Sequence, residues 1–257
     1  MFYLPSRQPD PGFDLISRLP FLTARWRHLA MLNYEIDPEA LAPDLPAGTE
    51  PDTWHGRAFV SMVGFLFLET RVVGLPLLFH QEFEEVNLRF YVRRKAGAEW
   101  RRGVFFVREI VPSPAVALAA RLLYGERYVA LPTRHRVQED EADGSCRASY
   151  GWRFQGRENR LEVAVSGPPR IPSFGSEEDF IASQAWGYSR RGPSRTLEYR
   201  VEHPPWTVRS ASESLLDCDV ARLYGDRFAE ALRAPPSSAF LAEGSLVKVF
   251  AGAAIAL

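Results

Sequence analysis

The chain reads as an α+β protein built on a strongly curved antiparallel sheet or partial barrel, and three observations predict it. Residues Glu85 to Arg93 alternate strictly, with Val86, Leu88, Phe90 and Val92 on one side and Glu85, Asn87, Arg89, Tyr91 and Arg93 on the other, the period-two pattern of a strand. A returning run, Arg102 to Ile110, is nearly all apolar and follows the turn KAGAEW, so the two segments form a hairpin. Only one helix is unmistakable: Ser113 can cap it, Pro114 suits its first turn, AVALAARLLY holds no breaker, and Gly125 can close it in the left-handed conformation. So apolar a helix needs cover, most simply the concave side or open end of a curved sheet.

The remaining elements follow in order. Residues 1–20 contain four prolines and read as an extended arm, and residues 21–257 as a single domain without linker or repeat. FLTARWRHLAMLNYEI (21–36) is a first strand, ended by a short helix with Asp37 as N-cap and Pro38 behind it. Arg57 to Thr70 is a second long strand. Residues 126–142 are irregular or a strand with charged flanks. CRASYGWRF and RLEVAVSG make a second hairpin, Ser176 with Asp179 starts a short helix, and RTLEYRVEH is a strand stopped by Pro204 and Pro205. DVARLYGDRFAEAL carries a helix that Gly225 weakens, and LVKVFAG is the last strand.

Composition narrows the function classes. Thirty-one basic against thirty-two acidic residues give a formal charge of −1, so nothing global favours nucleic acid or an acidic membrane surface as partner. The basic cluster Arg93, Arg94, Lys95, Arg101 and Arg102 around Trp100 is diluted by that neutrality. Without a leader pattern or an apolar run of about 18 residues, the expectation is a soluble cytoplasmic protein. Homo-oligomerisation is left open. Two cysteines, Cys146 and Cys218, fit neither a disulfide framework nor a thiolate cluster.

No glycine-rich phosphate loop and no GxSxG elbow occurs, so no nucleotide cofactor is expected. The five histidines form no local ligand pair, and no metal is assigned; His80, followed by Gln81, Glu82, Glu84 and Glu85, is the best of them. His203, held before a double proline with Trp206 nearby, stands either at a cavity mouth or as a structural cap. The face of Glu85, Asn87, Arg89 and Tyr91 either lines a cleft as a paired polar network or meets solvent. Alternation alone leaves both open. A crossing register would add Arg108 and Glu109 to it.

DPEALAPDLPAGTE, GRAFVSMVGFLF, EEVNLRFYVRR, FFVREI with the helix after it, SEEDFIASQAWGYS and VEHPPW together resemble the DUF2071 family, which includes YqjF-like proteins and is related in fold to acetoacetate decarboxylase. The EVNLRFYV block is the most specific of these. The resemblance implies a cone-like sheet around a central cavity and turns the polar face of the hairpin toward it. It also implies an arginine near the substrate at Arg27, a glutamate at Glu109, and Ser61 where the decarboxylases keep an acidic residue. Their Schiff-base lysine falls near Ser113 and Pro114, where this chain has none; its two lysines, Lys95 and Lys248, lie elsewhere. An iminium mechanism needs a primary amine held at low pKa, so that chemistry is expected to be absent.

Two readings result. In one, the chain is an enzyme acting on a small carboxylate or keto acid without a covalent lysine. Glu85, Arg89 and Glu109 would do the chemistry, and Arg27, Asn87, Tyr91 and His203 would hold a small anionic organic molecule. In the other, the same cavity serves a non-catalytic binding or structural role.

Overall fold

The computed structural model describes residues 19–76, 82–140 and 142–255. The N-terminal arm lies almost wholly outside them, as does His80. Strand β1 (Pro20–Ile36) runs into α1 (Pro38–Leu41), where the Asp37 side chain accepts from the Glu39 amide. The short β2 (Glu50–Pro51) precedes β3 (Ala58–Val72) and β4 (Leu75–Pro76). The expected hairpin is β5 (Phe83–Ala96) and β6 (Glu99–Val111). Helix α2 (Pro114–Tyr124) begins at the Ser113 cap and ends at Gly125, whose φ of 68° is the left-handed closure the sequence suggested.

Then come β7 (Tyr128–Ala130), β8 (Thr133–Asp140), β9 (Ser145–Phe154), β10 (Arg157–Val165), α3 (Glu177–Ala182), β11 (Trp186–Gly192), β12 (Arg195–Glu202) and β13 (Val208–Asp217). The chain continues through α4 (Val220–Tyr224), α5 (Asp226–Ala231), β14 (Ser238–Phe250) and β15 (Ala253–Ala254). Gly225, at φ 103°, splits the last helical region in two.

Neighbouring strands run in the order β14, β1, β3, β5, β6, β11, β12, and β12 pairs again with β14 through Val201 opposite Val249 and Glu202 opposite Lys248. The sheet therefore closes into a ring, antiparallel except where β11 meets β6. From β14 it continues through β13, β10, β9 and β8, which fold back over the outside of the ring. Tyr150 on β9 packs against Gly64 on β3 so closely that a Cβ at position 64 would lie 2.6 Å from its ring, which is why this strand crossing needs a glycine.

Both faces of β5 are consequently buried. Val86, Leu88, Phe90 and Val92 enter one core with Tyr150, Trp152 and Tyr224. Each such side chain contributes about 1.5–3 kcal/mol by leaving water. A second core, on the inner side of the ring, holds Phe59, Phe65, Phe67, Phe106 and Trp206 with Phe180 and Ile181 of α3.

Several elements depart from expectation. Residues 126–142 form two strands, β11 and β13 were not foreseen, and β14 is far longer than LVKVFAG. The cover expected for α2 is partial. Ala115, Val116, Ala119 and Ala120 face the ring's interior, while Leu118 and Leu122 stay exposed.

Candidate functional site

The ring, α2 and the end of α3 enclose a cavity of about 230 Å³. Its wall is mostly apolar, with Trp26, Phe65, Phe67, Phe106 and Trp206 among the lining residues. Trp26 packs edge-on against Phe65 at 5.0 Å. Against this apolar wall stands one polar strip. Glu85, Asn87 and Arg89 alternate into the cavity from β5, and Glu109 joins them from β6, directly opposite Asn87. Arg108 pairs with Leu88 in the register and leaves for the other face, so the arginine expected beside Glu109 is not there.

Glu85 is saturated. Its Oε1 accepts from Asn87 Nδ2 at 2.9 Å and its Oε2 from the Tyr128 hydroxyl at 2.8 Å. Burial nevertheless pushes its carboxyl up to about 7, against the lowering influence of those two bonds and of Arg89. Glu109 is held well above the ordinary range by burial and by the neighbouring Glu126 and Glu85 charges. Glu126, just past the Gly125 cap, is pushed up to about 8, chiefly by burial, and accepts from the Tyr199 hydroxyl at 2.7 Å. Tyr199 reaches that position by lying flat over Gly187, where a Cβ would sit 2.1 Å from its ring.

Arg89 is the opposite case. It is 6 % exposed, and among the described residues it makes no hydrogen bond and no ion pair. Its guanidinium carbon sits 5.9 Å from the centre of the Tyr91 ring, a cation–π contact that offsets little of the cost of burying a charge. Other buried polar atoms on the wall also have no protein partner among the described residues: the donor Trp26 Nε1, the acceptors Asn87 Oδ1, Glu109 Oε2 and Gln184 Oε1, and the Thr70 hydroxyl, which can serve as either. Buried polar groups are ordinarily paired, so these atoms mark where the protein is built to meet something else.

His203 lines the cavity, stacked on Trp206 at 4.0 Å, with Nδ1 2.9 Å from the Pro204 carbonyl; burial lowers its pKa and favours the neutral ring. Two residues expected at the ligand, Tyr91 and Arg27, are not on the cavity wall. Tyr91 points to the inner side but is covered by Phe180 at 5.3 Å and does not line the cavity. Its hydroxyl lies 2.6 Å from Ser61, which donates onward to Asn33 at 2.6 Å, so Tyr91 donates into a buried polar chain and not to a ligand. Arg27 is not among the lining residues either; it lies opposite Leu66 and Gly244, beside the strand's irregularity at His28.

Among the polar wall residues that the sequence does not point to are Glu126, Tyr128, Gln184 and Tyr199. One signal was available for Tyr199. Tyr199, Val201 and His203 alternate into the cavity from β12 just as the β5 residues do. Glu126 and Tyr128 follow a helix cap, where no periodicity exists to read.

Of the two lysines, both are exposed and neither lines the cavity, and Ser113 accepts from the Val116 amide as a helix cap. The basic turn is met by acids: Arg93 pairs with Glu50, Arg94 and Arg101 with Glu198, and Arg102 with Asp52. Outside the ring, His28, Glu139 and Cys146 bring three potential metal-ligand atoms within 4.8 Å of one another, a convergence of β1, β8 and β9 that spacing could not show. The Arg27 and Arg209 charges beside His28 oppose a cation there. Among the described residues no helix is long and apolar enough to cross a membrane.

A ring-like antiparallel sheet with flanking helices, closed around a central cavity, is the acetoacetate decarboxylase-like fold. The structure aligns with acetoacetate decarboxylase from Legionella pneumophila at a TM-score of 0.65 and 12 % identity, over 98 % of this chain and 93 % of that one. The enduracididine biosynthesis enzyme MppR, complexed with pyruvate, aligns at 0.64 and 16 % over 92 % and 91 %. An acetoacetate decarboxylase-like enzyme from Sphingomonas wittichii RW1 aligns at 0.62 and 14 % over 91 % and 92 %. At such identities the likeness concerns the fold alone.

Within that class the chain belongs to the DUF2071 family, described as an uncharacterized conserved protein, whose model matches residues 23–245. YqjF of Bacillus subtilis (strain 168), an uncharacterized protein, is 23 % identical over 206 residues, covering 78 % of this chain and 80 % of YqjF.

Proposed function

We propose that the cavity takes a small organic acid with an apolar body, and that the chain acts on it by proton transfer without forming a Schiff base. The observation that carries this reading is Arg89, a buried guanidinium that makes no hydrogen bond or ion pair among the described residues, on the wall of a mostly apolar cavity. Leaving such a charge uncompensated costs several kcal/mol, and arginine's planar fork matches a carboxylate. A ligand's carboxylate at Arg89 would supply the missing counter-charge. Among structural neighbours, MppR complexed with pyruvate supports the chemical class by analogy of fold.

Glu109 is the group placed for proton exchange. Among the described residues its Oε2 has no hydrogen-bond partner, and burial raises its proton affinity against the lowering influence of the nearby Tyr128 hydroxyl, so that as a carboxylate it takes the hydrogen next to a ligand's carbonyl and returns one exchanged with solvent. Glu85, with both oxygens occupied, is suited to fixing Asn87 and Tyr128 and not to meeting a ligand. That saturation is what favours the non-catalytic alternative, in which the same acid binds without reacting.

A thermal-shift screen of short-chain carboxylates and keto acids, run on wild type and Arg89→Ala together, tests the reading. At least one acid should stabilise the wild type and lose about tenfold or more in affinity in the variant, the worth of one charge-assisted contact. A panel in which no acid distinguishes wild type from a folded Arg89→Ala removes the anion site.

A further inference from the structure

The cavity's unpaired atoms say more than that an anion fits, and the point rests on the carboxylate reading above. Next to Arg89 on the same strand face stands Asn87, and residues two apart on a strand are about 7 Å apart. Asn87 Nδ2 is committed to Glu85, which fixes the carboxamide so that Oδ1 is the atom left over. Directly across the hairpin, Glu109 leaves Oε2 over as well. Gln184 is fixed likewise, its Nε2 donating to the Phe180 carbonyl at 2.5 Å and its Oε1 left free.

The wall therefore has two ends of opposite demand. At Arg89 it offers a positive donor. One strand step away, Asn87 Oδ1 and Glu109 Oε2 are left without a partner among the described residues, one of them on a carboxyl group that a nearby cation would ionise. The described wall also carries three carboxyls, Glu85, Glu109 and Glu126, against one guanidinium, so a cation placed among them favours their ionised forms. A plain carboxylate or keto acid satisfies the first end only. Neither presents an N–H to the second.

We propose that the ligand is a zwitterionic amino acid with an apolar side chain, its carboxylate on Arg89, its ammonium on Asn87 Oδ1 and Glu109 Oε2, and its side chain against Trp26, Phe65, Phe67 and Trp206. The ammonium supplies the N–H donors that the two acceptors lack. It also brings a positive charge to the acidic cluster, where burial and mutual repulsion hold the carboxyls in their protonated range. The apolar wall beyond accounts for the side chain.

A matched series measured by calorimetry on the full chain tests this: leucine, 4-methylpentanoate, 2-hydroxy-4-methylpentanoate, 4-methyl-2-oxopentanoate and 3-methylbutylamine. Leucine should bind at least about tenfold more tightly than 4-methylpentanoate, the ratio expected of one added charged contact. Glu109→Gln should cost leucine more than it costs the desamino acid. Because the comparison among ligands is made on the wild type, it stands even if a variant does not fold. If 4-methylpentanoate or the keto acid matches leucine and remains sensitive to Arg89→Ala, the amino-acid assignment is overturned and the carboxylate site survives. If the hydroxy acid binds best, the second end wants a neutral donor and the assignment is wrong. If the amine binds as well as leucine, Arg89 holds no carboxylate. Absence of binding by all five removes both this inference and the reading beneath it.

Discussion

The Tyr199 hydroxyl donates to Glu126 at 2.7 Å, tying β12 to the loop beyond α2 across the acidic end of the cavity. The bond lowers the acid's pKa, yet burial outweighs it and carries Glu126 up to about 8. In an unfolded chain the same group titrates near 4.3. Between those values the folded protein holds more protons than the unfolded one, so this group makes stability fall as pH rises. The cost is absent below about pH 4 and complete above the folded value. Glu126→Gln keeps an acceptor for Tyr199 and removes the ionisation. Its denaturant-derived stability should gain on wild type between pH 5 and pH 8.5 by on the order of 1 kcal/mol or more. Parallel pH profiles for the two proteins would contradict the assigned protonation.

Glu109 should be the exchanging group. Proton NMR of a bound keto acid in deuterium oxide should show loss of the hydrogens next to its carbonyl, and Glu109→Gln should slow that loss at least about 100-fold, the usual scale of acid–base assistance. Binding without any exchange in wild type would leave a binding protein and not an enzyme.

Tyr91→Phe should leave ligand affinity within about twofold while costing about 1 kcal/mol of stability, the worth of its hydrogen bond to Ser61. Chemical denaturation and calorimetry on one sample check both halves. A large loss of affinity with unchanged stability would return Tyr91 to the ligand.

Gly187→Ala should destabilise by about 1–3 kcal/mol, since the new methyl group meets the Tyr199 ring at 2.1 Å and the ring is confined by the cavity wall. A melting temperature equal to wild type would show that Tyr199 has room to move.

The hairpin was legible because alternation is a local signal: Glu85, Asn87 and Arg89 declare one face and Val86, Leu88 and Phe90 the other. What alternation cannot say is whether the polar face meets water, since that depends on strands far away in sequence closing the ring. The resemblance to a known family supplied that step, and the structure places three of the four residues on the cavity wall. For Arg27 the resemblance and the alternation disagree: Trp26 lines the cavity, and the next residue along a strand points to the opposite face. Tyr91 was assigned the right side and the wrong partner, since its cover, Phe180, comes from a helix about 90 positions later. Strand β13 was missed because VRSASESLLD is polar on both sides, as befits a strand laid on the outside of the sheet.

The most direct test of the central claim is the side-chain nitrogen spectrum of Arg89. Assigned by its absence in Arg89→Ala, the Nε–H resonance of the wild-type protein can be followed while 4-methyl-2-oxopentanoate or leucine is added. A carboxylate seated on the guanidinium should move that resonance saturably, with the same dissociation constant that calorimetry gives. A ligand that saturates the protein by calorimetry and leaves the Arg89 resonance in place would contradict the account.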